Sequence, residues 1–383
     1  LNPYIDERFK YVALFREGGL MKNNKAIGTK KGFAGVGIPM SDPNQPMKPP
    51  AKVPYKRIAT EEAWVTPEIM QGFRDLVAKK AGDAGFLSLW GVFIDKGGIL
   101  IDRLLDMGEN RIKDMDATGI DVQLLLLTAP GVQVFSKDKA RSLAADSNNQ
   151  LAEAIRKYPD RFAGLAAVAP QDPGAAAKEL ERCLKLGLKG AVVNSHTKGE
   201  YLDDPKFWEI FEAAESLNVP IYIHPQTPSP DMVMPFVRRG LDTAIMGFGV
   251  EVALHTLGII TSGALDRFPD LKIVIGHGGE GLPYWLYRID YMQEYNRQAF
   301  MPKLEMLPSD YMKRNIYITT SGLPWAPAIT MAQSVLGMDR VLYAMDYPYQ
   351  YRVEEVTMTD NFPISDANKK KLFQKNSEEV FSL

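Results

Sequence analysis

Eight short apolar runs, each followed by an amphipathic segment, constrain this chain more than anything else in it. From Arg57 onward they read RIATEE, DVQLLLL, FAGLAAVA, GAVVN, VPIYIH, LKIVIGH, NIYITTS and VLYAMD. A near-continuous apolar run is what a strand buried on both faces requires, and such strands pair in parallel with helices covering them. The intervening stretches, such as TPEIMQGFRDLVAKKAG and GAAAKELERCLKLG, carry helical periodicity, and Gly119, Pro159-Asp160, Gly187 and Pro269-Asp270 punctuate them. Eight β-then-α units predict an α/β fold of the (β/α)8 TIM-barrel class over residues 57–383, closed by a helix around DANKKKLFQKNSEEVF. A doubly wound open sheet is the alternative, but no GxGxxG follows a strand, so its dinucleotide-binding form has no support.

Residues 1–56 precede this pattern and lack it. KGFAGVGIPMSDPNQPMKPPAKVPY is rich in Gly and Pro and predicts an irregular N-terminal arm. Charge separates the two parts: residues 1–57 hold 11 Lys/Arg against 4 Asp/Glu, and the remainder 34 against 43. The overall charge of -2 gives no reason to expect nucleic acid or an anionic membrane as partner. No run of about 18 apolar residues predicts a membrane span. The single cysteine, Cys183, cannot form an intrachain disulfide and reads as a small buried residue in a helix. A cytoplasmic location is the expectation. The chain begins at Leu1 and shows no legible leader.

In a barrel of this class the chemistry gathers at the C-terminal ends of the strands. Four strand tips carry metal-ligand or acid–base residues: Glu61 and Glu62 on the first, His224 on the fifth, His277 on the sixth and Asp346 on the eighth. A buried carboxylate is costly unless paired, protonated or bound to a cation. Two carboxylates and an imidazole, Glu61, Asp346 and His224, therefore predict one divalent metal ion, with manganese, magnesium and zinc all compatible with mostly oxygen donors. Glu62 alternates to the other side of its strand and is expected to support rather than bind. His277 lies in GHGGE, where glycines permit a sharp turn, and Glu280 either holds its ring or caps the next helix. Asn194 and His196, after the fourth strand, are candidates to line the pocket. Trp90, Phe248 and Trp325 are candidates for an aromatic wall, and His255 reads as a packing residue.

The motifs IATEEAW, SLWG, RIKDMDATGID, KYPDRF, APQDP, NSHTKGEYLDD, GFGVE, GHGGE, LPYWLYRIDYM and YAMDYPYQ resemble the decarboxylase branch of the amidohydrolase superfamily, from about Arg57 to the C-terminus. Within it they are most similar to the 5-carboxyvanillate decarboxylases, and less so to the 2,3-dihydroxybenzoate and gamma-resorcylate decarboxylases. The resemblance implies one metal, commonly manganese, on Glu61, His224 and Asp346, with His277 as catalytic partner. It also implies that Arg288 recognises substrate, across a dimer interface if the chain assembles as a homodimer or homotetramer. Its first strand lacks the HxH of many hydrolases of the superfamily, and Asn194 stands where binuclear members place a carboxylated lysine; both favour a single metal. The stretch GVFIDKGGI, read as a loop after Trp90, lacks an arginine expected there, for which Lys96 is the candidate substitute. The implied reaction is non-oxidative decarboxylation of an ortho-hydroxylated aromatic acid, by protonation of the ring carbon by Asp346 and then loss of CO2. The alternatives are metal-dependent hydrolysis of a lactone or amide, and a barrel that only binds.

Overall fold

The computed structural model describes residues 50–296 and 304–383, with the side chains of Asp95, Lys96 and Asn296 undescribed. Most of the predicted arm, residues 1–49, lies outside this range. Its last residues pack on the body: Ala51 O accepts from Arg57 Nη2 at 2.8 Å, and the Tyr55 ring stacks on Phe373 at 5.7 Å.

Among the described residues, eight parallel strands form the barrel. They are β1 (Ile58–Trp64), β2 (Val122–Leu127), β3 (Phe162–Gly164, resumed at Ala166–Ala167), β4 (Ala191–Val193), β5 (Ile221–Ile223), β6 (Ile273–Ile275), β7 (Ile316–Thr319) and β8 (Val341–Leu342). Each pairs in parallel with the next in sequence. The break in β3 does not open the sheet, because Leu165 N donates to Leu125 O and Ala166 N to Gly190 O. The ring closes where Thr60 N donates to Tyr343 O at 3.0 Å, just past β8. All eight predicted strands are thus present and adjacent in chain order.

The local causes follow the sequence. Leu124 to Leu127 are essentially inaccessible, and burying each such side chain contributes about 1.5–3 kcal/mol. The helix Pro67–Ala78 starts where Thr66 Oγ1 accepts from Ile69 N and Pro67 sets the first turn. Asp172 and Pro173 start Pro173–Lys185 in the same way, and Cys183 on that helix is fully buried as expected. Gly119 ends Glu109–Thr118 in the left-handed conformation.

One loop expectation is corrected. Asp83 caps a helix, Ala84–Lys96, that takes in most of GVFIDKGGI, and the turn comes only at Gly97-Gly98. Among the described residues no single helix is long and apolar enough to cross a membrane.

Candidate functional site

Glu61 is aimed by an irregularity in β1. Ala59 pairs with Gln123 but Glu62 pairs with Leu125, so β1 spends one extra residue there. Such a bulge re-aims side chains. The Glu61 carboxylate lies inside the barrel, where Tyr222 OH and Thr319 Oγ1 both donate to its Oε2, the latter at 2.8 Å. A Cβ at Gly276 would stand 2.6 Å from Oε2, so only glycine leaves room there. Oε1 is buried with no hydrogen-bond partner among the described residues, 3.5 Å from both His224 Nε2 and His277 Nε2.

The next tip turns sharply, as predicted. His277, Gly278, Gly279 and Glu280 have φ values of 51°, 67°, 78° and 52°. Glu280 Oε1 lies 2.7 Å from His277 Nδ1 and so holds the ring, the first of its two predicted roles. His277 Nε2 then faces Glu61, with Asp346 Oδ2 at 3.9 Å. Asp346 also has a left-handed backbone, φ 70°. Non-glycine residues adopt that region rarely, and it clusters where function over-determines the backbone. One ligand atom each from Glu61, His277 and Asp346 lies within 4.8 Å of the others. His277 is thus the imidazole within ligand spacing of both carboxylates, whereas His224, which the sequence ranked ahead of it as a ligand, meets Glu61 Oε1 alone.

Burial tunes these groups in opposite directions. It pushes the Asp346 carboxyl well above the ordinary range, and the Glu61 and Glu280 charges add to this against His277. It opposes charge on His277, but Glu61 and Glu280 outweigh it and hold that imidazole well above its usual value. His224, buried with weaker compensation, is pushed down to about 4. The donor set fits a divalent cation. Two carboxylates and the His277 imidazole lie at ligand spacing, His224 Nε2 approaches from a further side, and the buried Glu61 Oε1 between them has no hydrogen-bond partner among the described residues.

A cavity of about 290 Å³ opens over this centre. His224, His277 and Asp346 form its floor, and Leu89, Phe93, Phe248, Thr128, Tyr349 and Gln350 contribute walls. Phe248 is therefore where the sequence placed it. Trp90 is not: its indole is buried behind the wall, tilted on Phe73 at 4.7 Å with Nε1 donating to Ala129 O, and Phe93 takes the lining position. Trp325 is more than a third exposed and does not line the cavity.

Asn194 and His196 are also corrected. The Gln133 side chain accepts from Asn194 N through Oε1 at 2.6 Å and donates to His196 O through Nε2 at 2.9 Å, and the His196 ring is held by Gly199 N and Thr227 O. His196 lines a separate cavity together with Pro130, and Asn194 is buried without lining the cavity over Asp346. Arg288 is exposed on the helix Leu282–Asn296, outside the cavity. No lysine or arginine lines the cavity among the described side chains; that of Lys96 lies outside them.

Tyr222, Thr319, Thr128 and Tyr349 were missed. The first two sit in IYIH and YITT, where a hydroxyl in a fully buried run was a readable sign of a polar partner inside the barrel. Tyr349, whose hydroxyl bonds Thr128 Oγ1, is placed by the turn after Asp346 and carried no comparable sign.

The amidohydrolase family profile matches residues 99–383. The gamma-resorcylate decarboxylase of Polaromonas sp. (strain JS666) is 37% identical over 298 residues, covering 74% of this chain and 90% of its own. A 5-carboxyvanillate decarboxylase from Novosphingobium aromaticivorans DSM 12444, solved with manganese and 4-hydroxy-3-methoxy-5-nitrobenzoic acid, is 48% identical with a TM-score of 0.85. That match covers 86% of this chain and 97% of the other. A dihydroxybenzoic acid decarboxylase from Polaromonas sp. JS666, solved with manganese and 2-nitroresorcinol, is 34% identical with a TM-score of 0.76, over 86% and 97% of the two chains.

Proposed function

The chain belongs to the amidohydrolase family, and from that membership we propose that it is a metal-dependent decarboxylase of ortho-hydroxylated aromatic acids. The observation that carries this is the bare Glu61 Oε1 facing two imidazoles and Asp346 at the floor of a cavity walled by Phe93 and Phe248. Both the carboxyvanillate and the resorcylate relatives are carboxy-lyases, which disfavours lactone or amide hydrolysis.

Glu61, His224 and Asp346 would hold one manganese ion. The His277 side chain is 20% exposed against 6% for His224, so it is the imidazole more open to substrate. When bound, the metal supplies a Lewis acid that lowers the pKa of an ortho hydroxyl and orients the ring. The protein's own task is proton delivery. Direct loss of CO2 would leave an unstabilised aryl carbanion, so the carboxyl-bearing carbon must be protonated first. Asp346 gives that proton; its burial favours the protonated form, and the group must be regenerated after each turnover. The electrons of the breaking carbon–carbon bond return to the ring, CO2 departs and aromaticity is restored. His277, steadied by Glu280, donates to the phenolate or carboxylate oxygen.

A 5-carboxyvanillate-like and a dihydroxybenzoate-like acid are the two substrate candidates, by similarity to the two groups of relatives. A panel of ortho-hydroxybenzoates with and without a second carboxylate, assayed for CO2 release before and after chelation, decides between them. Release that is metal-dependent and confined to ortho-hydroxy acids is the expected result. Bound manganese without CO2 from any member would overturn the reading.

Assembly into a homodimer or homotetramer belongs to the same proposal. Tyr284, Tyr287, Tyr291 and Tyr295 are 60–84% exposed on one helix, beside Trp285 and Arg288, the composition of an interface core. In such an assembly Arg288 would meet substrate from the neighbouring copy. A scattering mass equal to one chain would remove this part. A cytoplasmic site of action is proposed with it.

A further inference from the structure

Glu62 lies next to Glu61 but serves a different segment. Its side chain is wholly buried and does not line the cavity. Its Oε1 accepts from Met345 N at 3.0 Å and its Oε2 from Tyr347 N at 3.1 Å. These are the two amides on either side of Asp346, so one carboxylate spans the residue whose backbone is left-handed. Main-chain bonds from β1 grip the same segment: Thr60 N to Tyr343 O, and Ala63 N to Tyr347 O at 2.6 Å.

The clamp is itself braced. Gln123 Nε2 reaches Glu62 Oε2 at 3.4 Å, and Arg111 Nη1 donates to Gln123 Oε1 at 3.2 Å. The buried Arg111 guanidinium lies over the Tyr347 ring at 4.6 Å and donates to Ala63 O at 2.7 Å. Arg111 comes from RIKDMDATG, ahead of β2, Gln123 from β2 and Glu62 from β1, so three elements brace the segment from Tyr343 to Tyr347. A strained backbone persists only where its surroundings over-determine it. A carboxylate offers one acceptor oxygen to each of the two amides, whereas an amide side chain offers one acceptor and one donor.

We infer that Glu62 is a positioning residue: by clamping the amides of Met345 and Tyr347 it holds Asp346 in the backbone conformation that aims its carboxylate at Glu61 and His277. This rests on the role proposed above for Asp346. It follows that Glu62 acts on metal and proton transfer only through Asp346, although it touches neither substrate nor metal.

The test is a double-mutant cycle read by manganese affinity from electron paramagnetic resonance titration, with kcat and KM as second readouts. Glu62→Gln places an NH2 against one of the two amides. It should weaken manganese binding by about 10-fold or more, the scale for residues that orient a metal ligand, and lower kcat with KM changed by less than about 3-fold. In an Asp346→Asn background the same substitution should change manganese affinity by less than about 2-fold. Glu62→Asp, which keeps the carboxyl group but cannot span both amides, should shift affinity in the same direction and serves where the glutamine variant does not fold. Wild-type affinity and kcat in both Glu62 variants, or equal losses in the two backgrounds, would overturn the inference. An Asp346→Asn enzyme with full turnover would overturn the decarboxylase mechanism and this inference together. An inactive Asp346→Asn beside an unaffected Glu62→Gln would overturn this inference alone.

Discussion

Two buried polar clusters lie at the same end of the barrel and are built on opposite principles. Around Glu251, on the helix Gly247–Thr261, every group has a partner. Its Oε1 accepts from Ser195 Oγ at 2.8 Å, and its Oε2 from Tyr201 OH and Ser229 N, both at 3.0 Å. His255 completes the cluster, with Nδ1 3.2 Å from Ser195 Oγ and Nε2 accepting from Leu202 N. Around Glu61, one carboxylate oxygen is saturated and the other bare, two imidazoles converge on it, and His277 and Asp346 hold left-handed backbones. A satisfied network ties loops together and rigidifies them. An unsatisfied buried charge costs stability in the free protein and is tolerated where a ligand completes it. The first cluster pins the loops after β4 and β5; the second is left open for chemistry.

That contrast can be broken most directly at Asp346. Asp346→Asn should lower kcat by about 1,000-fold or more, within the range that a positioned general acid contributes. It should leave the melting temperature unchanged or slightly raised, because it removes a buried carboxylate beside Glu61. Near-native turnover of that variant, measured as CO2 release, would end the assignment.

The opposite result is expected at Glu251. Glu251→Ala strands the hydroxyls of Ser195 and Tyr201 and the amide of Ser229, and should cost about 2–4 kcal/mol of unfolding free energy. The folded fraction should keep kcat within about 3-fold, since nothing in that cluster lines the cavity over Asp346. A stable protein with collapsed turnover would reverse the two roles.

The smallest effect sharpens the comparison by pH. Burial pushes His255 down from 6.5 to about 3, so the folded protein keeps it neutral while the unfolded chain protonates it below 6.5. The unfolded state then binds the extra proton, and stability that is complete above pH 6.5 is lost progressively as pH falls towards 3. His255→Gln should flatten the dependence of unfolding free energy on pH within that window, measured by urea titration. A slope identical to that of the parent protein would show that His255 does not titrate as the buried brace requires.

Much of this was legible beforehand. The eight strands were readable because a strand buried on both faces needs a near-continuous apolar run, and Leu124–Leu127 or Ile273–Ile275 have no other use. Glu61, His224, His277 and Asp346 were readable because they follow such runs at the end where barrels place their chemistry. The same rule misplaced Asn194 and His196. Both lie at a strand tip, but Gln133, more than 60 residues earlier, ties them away from the cavity. Trp90 and Phe93 lie on one helix, and which ring faces the cavity depends on how Ala84–Lys96 packs against Phe73.

The sequence by itself determined the strand count, the parallel order and the set of residues able to bind a cation. Those properties follow from local apolar periodicity and from the chemistry of each side chain. Only the tertiary structure decided that β1 bulges so that Glu61 faces inward while Glu62 clamps Met345 and Tyr347. It also decided that one oxygen of Glu61 stays bare and that Tyr349 walls the cavity. Side-chain aim over a few ångströms is set by hydrogen bonds and packing between segments up to 285 residues apart, and no local pattern carries that information.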